Sequence, residues 1–171
     1  MMRIEDLIER KKAGIVQNWF QLVVETYPND TAHFLKNQKD PFANPVGSNI
    51  FKGLTGLMDH LLKQSDSGII LDFLDPIIRI RAVQQMFTPS QATAFIFDLK
   101  IIIRKALRKE IEDMTIKDQL WKFESRIDGL ALTAFDLFMA CREQIFELRA
   151  NQEKSKVYKA FERAGLIAEI L

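Results

Sequence analysis

One short stretch of the chain offers backbone groups with which an anion could interact. In "KDPFANPVGSNIF", Asn44 precedes Pro45, and Gly47 and Ser48 follow in the first turn of the helix that this pair begins. Amides of a first helical turn point out of the helix end, so we consider Gly47 and Ser48 candidate anion-binding residues. A phosphate loop of the P-loop kind needs more glycines and a Lys-Ser/Thr pair, which this stretch lacks. The pattern favours a helix start over a phosphate site.

Two charged residues fall within apolar sectors of their helices. On a helix that begins at Pro76, Arg79 lies between Val83 and Met86. Asp128 has apolar neighbours on its own helix, namely Trp121, Leu132, Phe135 and Met139. Because an unpaired buried charge is costly, we predict that Arg79 and Asp128 are buried and paired with each other. A shared anionic ligand is the alternative partner for both.

The residues that most often bind metals or act as nucleophiles are few. His60 lies on the flank of its helix and His33 on a short helix, so both are predicted as surface or boundary residues. Cys141 falls on an apolar stripe, which predicts a small buried side chain and not a reactive thiol. Carboxylates of the last helix are spread over several faces. We therefore predict no catalytic site, no metal site and no cofactor.

Composition excludes several further classes. The 171 residues are enough for one domain, and 24 basic residues balance 23 acidic ones, which disfavours a nucleic-acid binder. A basic group near a helix end is explained by the helix dipole; it comprises Arg104, Lys105, Arg108 and Lys109. The charged N-terminus lacks a signal-peptide core, and charges interrupt the longest apolar runs. We expect a cytoplasmic protein without membrane insertion.

Helical periodicity recurs along the chain, and no segment shows sustained strand-like alternation. Predicted helices cover about 4–27, 29–35, 45–63, 76–87 and 89–111, with the longest beginning near Ile116 and passing Arg149. Asp75 is the predicted cap of the helix opened by Pro76, after a loop at Gln64–Gly68. Thr88 and Gln91 have capping-box spacing. The fold class is therefore all-α, with about six helices.

Three segments together resemble a known family. They are "DPFANPVG", "IIRIRAVQQMFTPSQATAF" (Ile77–Phe95) and "RIDGLALTAFDLFMACRE" (Arg126–Glu143). In combination they are similar to the RsbRD amino-terminal domains, which are haem-free globin-like helical domains at the front of RsbR-type stressosome co-antagonists. The resemblance implies a globin-like sensor-type domain over 1–150 and a helical tail over 151–171. In those regulators a phosphorylated STAS domain follows, whereas only 22 residues follow Arg149 here, so phosphorylation switching is not carried over.

The longest helix outruns a compact domain of this size, so part of it should project and pair with another molecule. Apolar positions continue along the tail at Val157 and Phe161, while Phe97 and Ile101 project from another helix. We predict a homodimer that uses these four residues. A tail that folds back after Gly165 is the competing arrangement.

Two functional hypotheses remain open at this point. The first is a non-enzymatic sensor or adaptor that binds an unknown protein partner, with or without tuning by a small apolar or anionic ligand. The second is a globin-like protein that binds haem or another tetrapyrrole. The helix at 76–87, which would line such a pocket, contains no histidine, and this favours the first hypothesis.

Overall fold

The helical periodicity of the sequence is realised as seven α-helices and one 3-10 helix within residues 3–63 and 67–166, which the computed structural model describes. The helices are α1 (Ile4–Glu25), α2 (Asn29–Asn37), α3 (Pro45–Lys63), α4 (Ser67–Val83), α5 (Pro89–Thr93), α6 (Phe95–Ala106) and α7 (Met114–Arg163), and the 3-10 helix is Glu110–Glu112. No strand occurs in these ranges. The predicted all-α class with a long C-terminal helix is confirmed.

Helix α1 organises the core. It contacts α2, α3, α6 and α7, and its apolar stripe is buried along its length. Trp19 is fully buried, and its indole N–H donates to the carbonyl oxygen of Phe95 in α6 at 2.7 Å. This bond satisfies the one polar atom of a large core side chain, so the ring packs in the interior without an orphaned donor.

Three helices begin at side-chain caps. Asn44 accepts a bond from the Gly47 amide at the start of α3, and Thr88 forms a reciprocal capping box with Gln91 at the start of α5, as predicted. Asp113 caps α7 by accepting from the amides of the first turn. These bonds occupy amides that have no partner within the helix, so each cap stabilises the start of its helix.

Helix α4 differs from its prediction. It begins at Ser67, so Pro76 lies inside it, and Asp75 is a helical residue and not a cap. Proline lacks the N–H that would bond the carbonyl four residues earlier, here that of the exposed Asp72, where water can replace it. Of the predicted loop 64–68, residues 64–66 lie outside the described part, and the last two belong to α4. The helix ends at Val83, four residues before the predicted end.

The single helix predicted over 89–111 is instead two α-helices, α5 and α6, followed by the 3-10 helix. Near Ala94 the backbone tightens, with the Phe97 amide bonded to the Ala94 carbonyl three residues earlier at 2.9 Å. The Thr93 hydroxyl also bonds back to the carbonyl of Pro89 at 3.0 Å, a contact that often bends helices. Helix α6 then ends at Ala106, before the 3-10 turn.

Helix α7 runs unbroken for 50 residues, about 75 Å at 1.5 Å per residue. Every residue from 146 to 166 is exposed, so this part projects and does not fold back through Leu166. Gly165 ends the helix at φ 66°, and the amides of Gly165 and Leu166 bond back to Glu162 and Phe161. The residues after 166 lie outside the described part. Because the helix crosses position 150 without a break, the division into domain and tail stays a prediction.

Cationic side chains of one helix bond the C-terminal carbonyls of another. Lys11 donates to the carbonyl oxygen of Ala106 at 2.6 Å. Arg126 donates to that of Leu61, and Arg142 to that of Ala82, both at 3.2 Å. Carbonyls of a last turn have no partner within their helix and carry the negative end of its dipole. Each contact therefore joins two helices at a point where one of them needs a donor.

Helices α3 and α4 approach closely because two glycines face the contact. A Cβ on Gly53 would lie 2.8 Å from the Phe73 carbonyl oxygen and 2.7 Å from Ile77, and one on Gly56 would meet the Phe73 ring at 2.3 Å. Side chains of α4 thus fill the space directly above both glycines. At these two positions α4 is therefore packed directly against the backbone of α3.

We predict that Gly53→Ala lowers the free energy of unfolding by about 1–3 kcal/mol, because a backbone oxygen of α4 cannot move aside for the new methyl group. Gly14→Ala in α1 is the control, since a Cβ there would meet nothing within 4 Å. The control should raise stability by up to about 1 kcal/mol through helix propensity. Urea unfolding followed by circular dichroism measures both, and equal effects of the two substitutions would contradict the close approach.

Candidate functional site

The predicted pair of Arg79 and Asp128 does not form. Arg79 is exposed and bonds to Asp75 one turn earlier in its own helix, at 2.5 Å. Asp128 is about half exposed and pairs with Lys100 of α6 at 2.5 Å. The prediction of burial and mutual pairing is wrong because the apolar neighbours of both residues lie on the surface. A role for either residue in binding a ligand stays a prediction.

The buried arginine of α4 is instead Arg81, whose exposed fraction is 0%. Its guanidinium lies 5.4, 4.6 and 4.9 Å from the ring centres of Tyr27, Phe87 and Phe95. It donates to the carbonyl oxygens of Val23 and Gln91, both at 3.3 Å. A further bond at 2.8 Å reaches the Thr26 hydroxyl. The side chain thus joins the ends of α1 and α4 to the start of α5.

No carboxylate forms an ion pair with Arg81 in the part of the chain that the structure describes. Its charge is stabilised by the carbonyl end of α1 and by three aromatic faces. Burial lowers the pKa of Arg81 and raises the pKa of Tyr27. The arginine Nε and the Tyr27 hydroxyl are buried without a hydrogen-bond partner in the protein. The arrangement resembles a structural clamp more than a catalytic group.

Sequence reasoning missed Arg81, although a signal for it exists. The buried face of α4 includes Leu74, Ile77, Ile78 and Ala82, and position 81 follows Ile77 and Ile78 at spacings of four and three. Beginning the helix at Pro76 obscured this stripe, because Leu74 was then left outside the helix. On a helix that begins at Pro76, Arg81 instead lies near the polar residues Gln84 and Gln85, which hides its burial.

The amides of Gly47 and Ser48 are not available to an anion. The Gly47 amide donates to the Asn44 side-chain oxygen at 2.8 Å, and the Ser48 amide donates to the Asn44 carbonyl oxygen at 3.1 Å. Both amides thus serve the helix start that the sequence pattern favoured, and a ligand-binding role for Gly47 and Ser48 stays a prediction. Both residues still line a cavity between α1, α2 and α3.

Helices α6 and α7 are joined by two ion pairs. Besides Lys100 and Asp128, Arg104 donates to both carboxylate oxygens of Glu124 at 2.6 and 2.7 Å, and Glu124 is buried. Arg104 is one of the four residues of the basic group found in the sequence. One of the four positive charges of that group is therefore already neutralised within the protein. On the same helix as these cations, Phe97 and Ile101 are each about half exposed.

One side of α7 carries a row of exposed apolar residues, which we call the outer face of α7. It consists of Trp121, Leu132, Phe135, Met139, Phe146, Val157 and Phe161. Five of these positions are separated by 11, 7, 7 and 11 residues, each close to a whole number of helical turns. Asp128 lies in the same row. The sequence indicated this row only in part: Val157 and Phe161 were predicted contact residues, whereas the apolar neighbours of Asp128 were expected to surround a buried charge.

The histidines and the cysteine lie apart from these surfaces. His33 is exposed on α2, while His60 is partly buried on α3, and burial lowers the pKa of His60. Cys141 is buried, as predicted. Within residues 3–63 and 67–166, no group of three or more His, Cys, Asp and Glu side chains could hold a metal ion.

Comparison with known proteins identifies the family. The family described as "RsbT co-antagonist protein rsbRD N-terminal domain" matches residues 13–153, more than four-fifths of the chain. The chain belongs to this family. The resemblance inferred from the three sequence segments is therefore confirmed, and the rsbRD N-terminal domain family is one of regulatory domains. Arg81, Glu124 and the outer face as far as Phe146 lie within the matched region.

A relative of this rsbRD-type domain is an uncharacterized protein of Archaeoglobus fulgidus, 31% identical over 94 residues. The alignment covers 55% of this chain and 58% of the relative, so it spans little more than half of either protein. No solved structure matches the chain, and the globin-like arrangement stays a prediction. Among the described helices of this family member, none is long and apolar enough to cross a membrane.

We predict that Arg81→Ala lowers the free energy of unfolding by about 2–4 kcal/mol, because it leaves a cavity between three rings and orphans buried carbonyl oxygens. The control is Arg79→Ala, two residues away, whose pair with Asp75 is exposed. Removing such a pair should change stability by about 0.5 kcal/mol or less. Urea unfolding of both variants is the measurement, and a larger loss in the Arg79 variant would contradict this assignment.

We also predict slow reaction of Cys141 with an aromatic disulfide reagent in the native protein. Burial raises the pKa of the Cys141 thiol, so at neutral pH less of it is the reactive thiolate than in an unfolded chain. The reaction should become fast once urea unfolds the protein. Native protein that reacts as fast as unfolded protein would contradict the buried placement.

Proposed function

We propose that the chain is a non-enzymatic regulatory module that acts through protein–protein contact, with the outer face of α7 as its contact surface. The observation that carries this proposal is the row of seven large apolar side chains, each exposed by two-fifths or more. Scattered apolar residues are normal on protein surfaces, but a contiguous apolar patch usually marks an interaction site. Membership of a family of regulatory domains supports the same reading.

A second copy of the chain is the proposed first partner. Seven half-exposed side chains of this size offer roughly 700 Å2 of apolar surface, close to the ~800 Å2 per partner of a standard interface. The row extends over about 60 Å of one unbroken helix, which a twofold partner helix can match along its length. Phe97 and Ile101 of α6 extend this surface sideways, since α6 is fastened to α7 next to the row.

The pair of Lys100 and Asp128 makes this face suitable for burial. Asp128 is an acidic residue within the apolar row, and a bare carboxylate would oppose its burial in an interface. Lys100 neutralises it within the same chain and lies 5.7 Å from the Phe97 ring centre. Burial of this part of the face would therefore leave neither Asp128 nor Lys100 without a partner.

We further propose a role in a stressosome-type signalling complex in the cytoplasm, in line with the family's description as a domain of an RsbT co-antagonist. The nearly balanced charge of the chain supports a protein partner over a nucleic acid. The buried Cys141 and the engaged amides of Gly47 and Ser48 supply no nucleophile or oxyanion site for a reaction.

The test is a matched pair of substitutions on α7. Leu132 and Leu148 are 68% and 63% exposed, but Leu148 lies about 160° around the helix, on the side away from the outer face. At tens of micromolar, light scattering should give the unsubstituted protein a mass near twice the 19.8 kDa of one chain. Leu132→Lys should weaken the dimer at least about tenfold, because it places a charge within the apolar row, whereas Leu148→Lys should leave the mass unchanged.

A mass near that of one chain for the unsubstituted protein would overturn the dimer. Equal dissociation of both variants would instead move the contact away from the outer face. Circular dichroism of both variants shows that they remain folded, which we expect because both leucines are on the surface.

A further inference from the structure

We propose that the cavity between α1, α2 and α3 binds a small amphipathic anion, specifically a carboxylate attached to a short apolar chain or ring. The cavity measures about 320 Å3 and opens to solvent. It shares no residue with the outer face of α7, so this proposal and the proposed contact function can fail independently.

The floor of the cavity is apolar. Phe20, Leu35 and Phe51 line it, one from each of the three helices. The rings of Phe20 and Phe51 meet edge to face, with centres 5.5 Å apart. Phe51 stays 39% exposed, so a ligand that covers it would remove apolar surface from water.

The rim of the cavity is cationic. Lys36, Lys39 and Lys52 line it, and no aspartate or glutamate does. Lys36 has a weak pair with Glu25 at 3.5 Å, whereas Lys39 and Lys52 have no ion pair within the part of the chain that the structure describes. Three positive charges beside an apolar floor complement a molecule that has one negative group and an apolar remainder.

The walls are held in place without a ligand. The Asn44 side chain is almost fully buried and donates to the carbonyl oxygens of Leu35 and Gln38 at 3.0 and 2.9 Å. Its oxygen accepts from the Gly47 amide, and a Cβ on Gly47 would lie 2.3 Å from this side chain. Because one amide group fastens α2, the following loop and α3 together, the cavity is largely pre-formed, as ligand sites usually are.

Size and polar groups narrow the ligand class. A volume of about 320 Å3 is near the lower end for small-molecule sites, which excludes a tetrapyrrole or a dinucleotide. The half-buried Ser48 also lines the cavity, and its hydroxyl has no hydrogen-bond partner in the protein among the described residues. Ser48 could therefore donate to the carboxylate while the lysines balance its charge.

The experiment is calorimetric titration of the full chain with 3-phenylpropionate, and in parallel with 3-phenylpropanamide, which has the same shape and no charge. We expect the acid to bind with a Kd below about 1 mM and the amide to bind at least about tenfold more weakly. Lys39→Gln combined with Lys52→Gln should weaken binding of the acid about tenfold and leave the amide unaffected.

The matched control combines Lys105→Gln with Lys109→Gln, two exposed lysines that do not line this cavity. It should bind the acid as the unsubstituted protein does. Any of three results would overturn the proposal: no binding of the acid at millimolar concentration, equal affinity for acid and amide, or an equal loss in the control. Light scattering of the same samples shows whether the α7 contact is intact, which separates failure here from failure of the proposed function.

Discussion

Bonds between cationic side chains and helix C-termini link the helices of this domain at four points. Lys11, Arg81, Arg126 and Arg142 each donate to last-turn carbonyls of a different helix, namely α6, α1, α3 and α4. A chain built of helices has many such carbonyls, and each needs a donor when the helix end meets another element. A cation also interacts favourably with the negative end of the helix dipole. This explains how Arg81 can be fully buried without a carboxylate.

Two of these cations belong to α7, and their positions account for its two different sides. Arg126 and Arg142 lie sixteen residues apart and fasten α3 and α4 to the same stretch of α7. The side of α7 that faces these helices is buried from Ile116 to Cys141. One side of α7 is therefore occupied by these helices, whereas no element within residues 3–63 and 67–166 covers its outer face.

Most of the architecture follows from local signals in the sequence. The caps at Asn44 and Thr88 were predictable because a capping residue next to proline has few other conformations available. The interior Pro76 misled the same reasoning, because a proline signals a helix start only when the preceding residues are not helical. The helix was predicted to continue to 111, but α6 ends at Ala106. The apolar stripe continues past Ala106, so the sequence pattern alone does not indicate where the helix ends.

The surface of α7 shows why charges are harder to place than apolar residues. Periodicity correctly grouped Asp128 with Trp121, Leu132, Phe135 and Met139, but it cannot say whether such a sector faces the core or solvent. The rule that a charge among apolar residues needs a partner still held, since Lys100 supplies one for Asp128. What failed was the inference that the partner must be buried and must come from α4. Helix α7 has two apolar sides, and both show the periodicity that is typical of a buried helix face. Within one chain, only one of the two sides packs against the core.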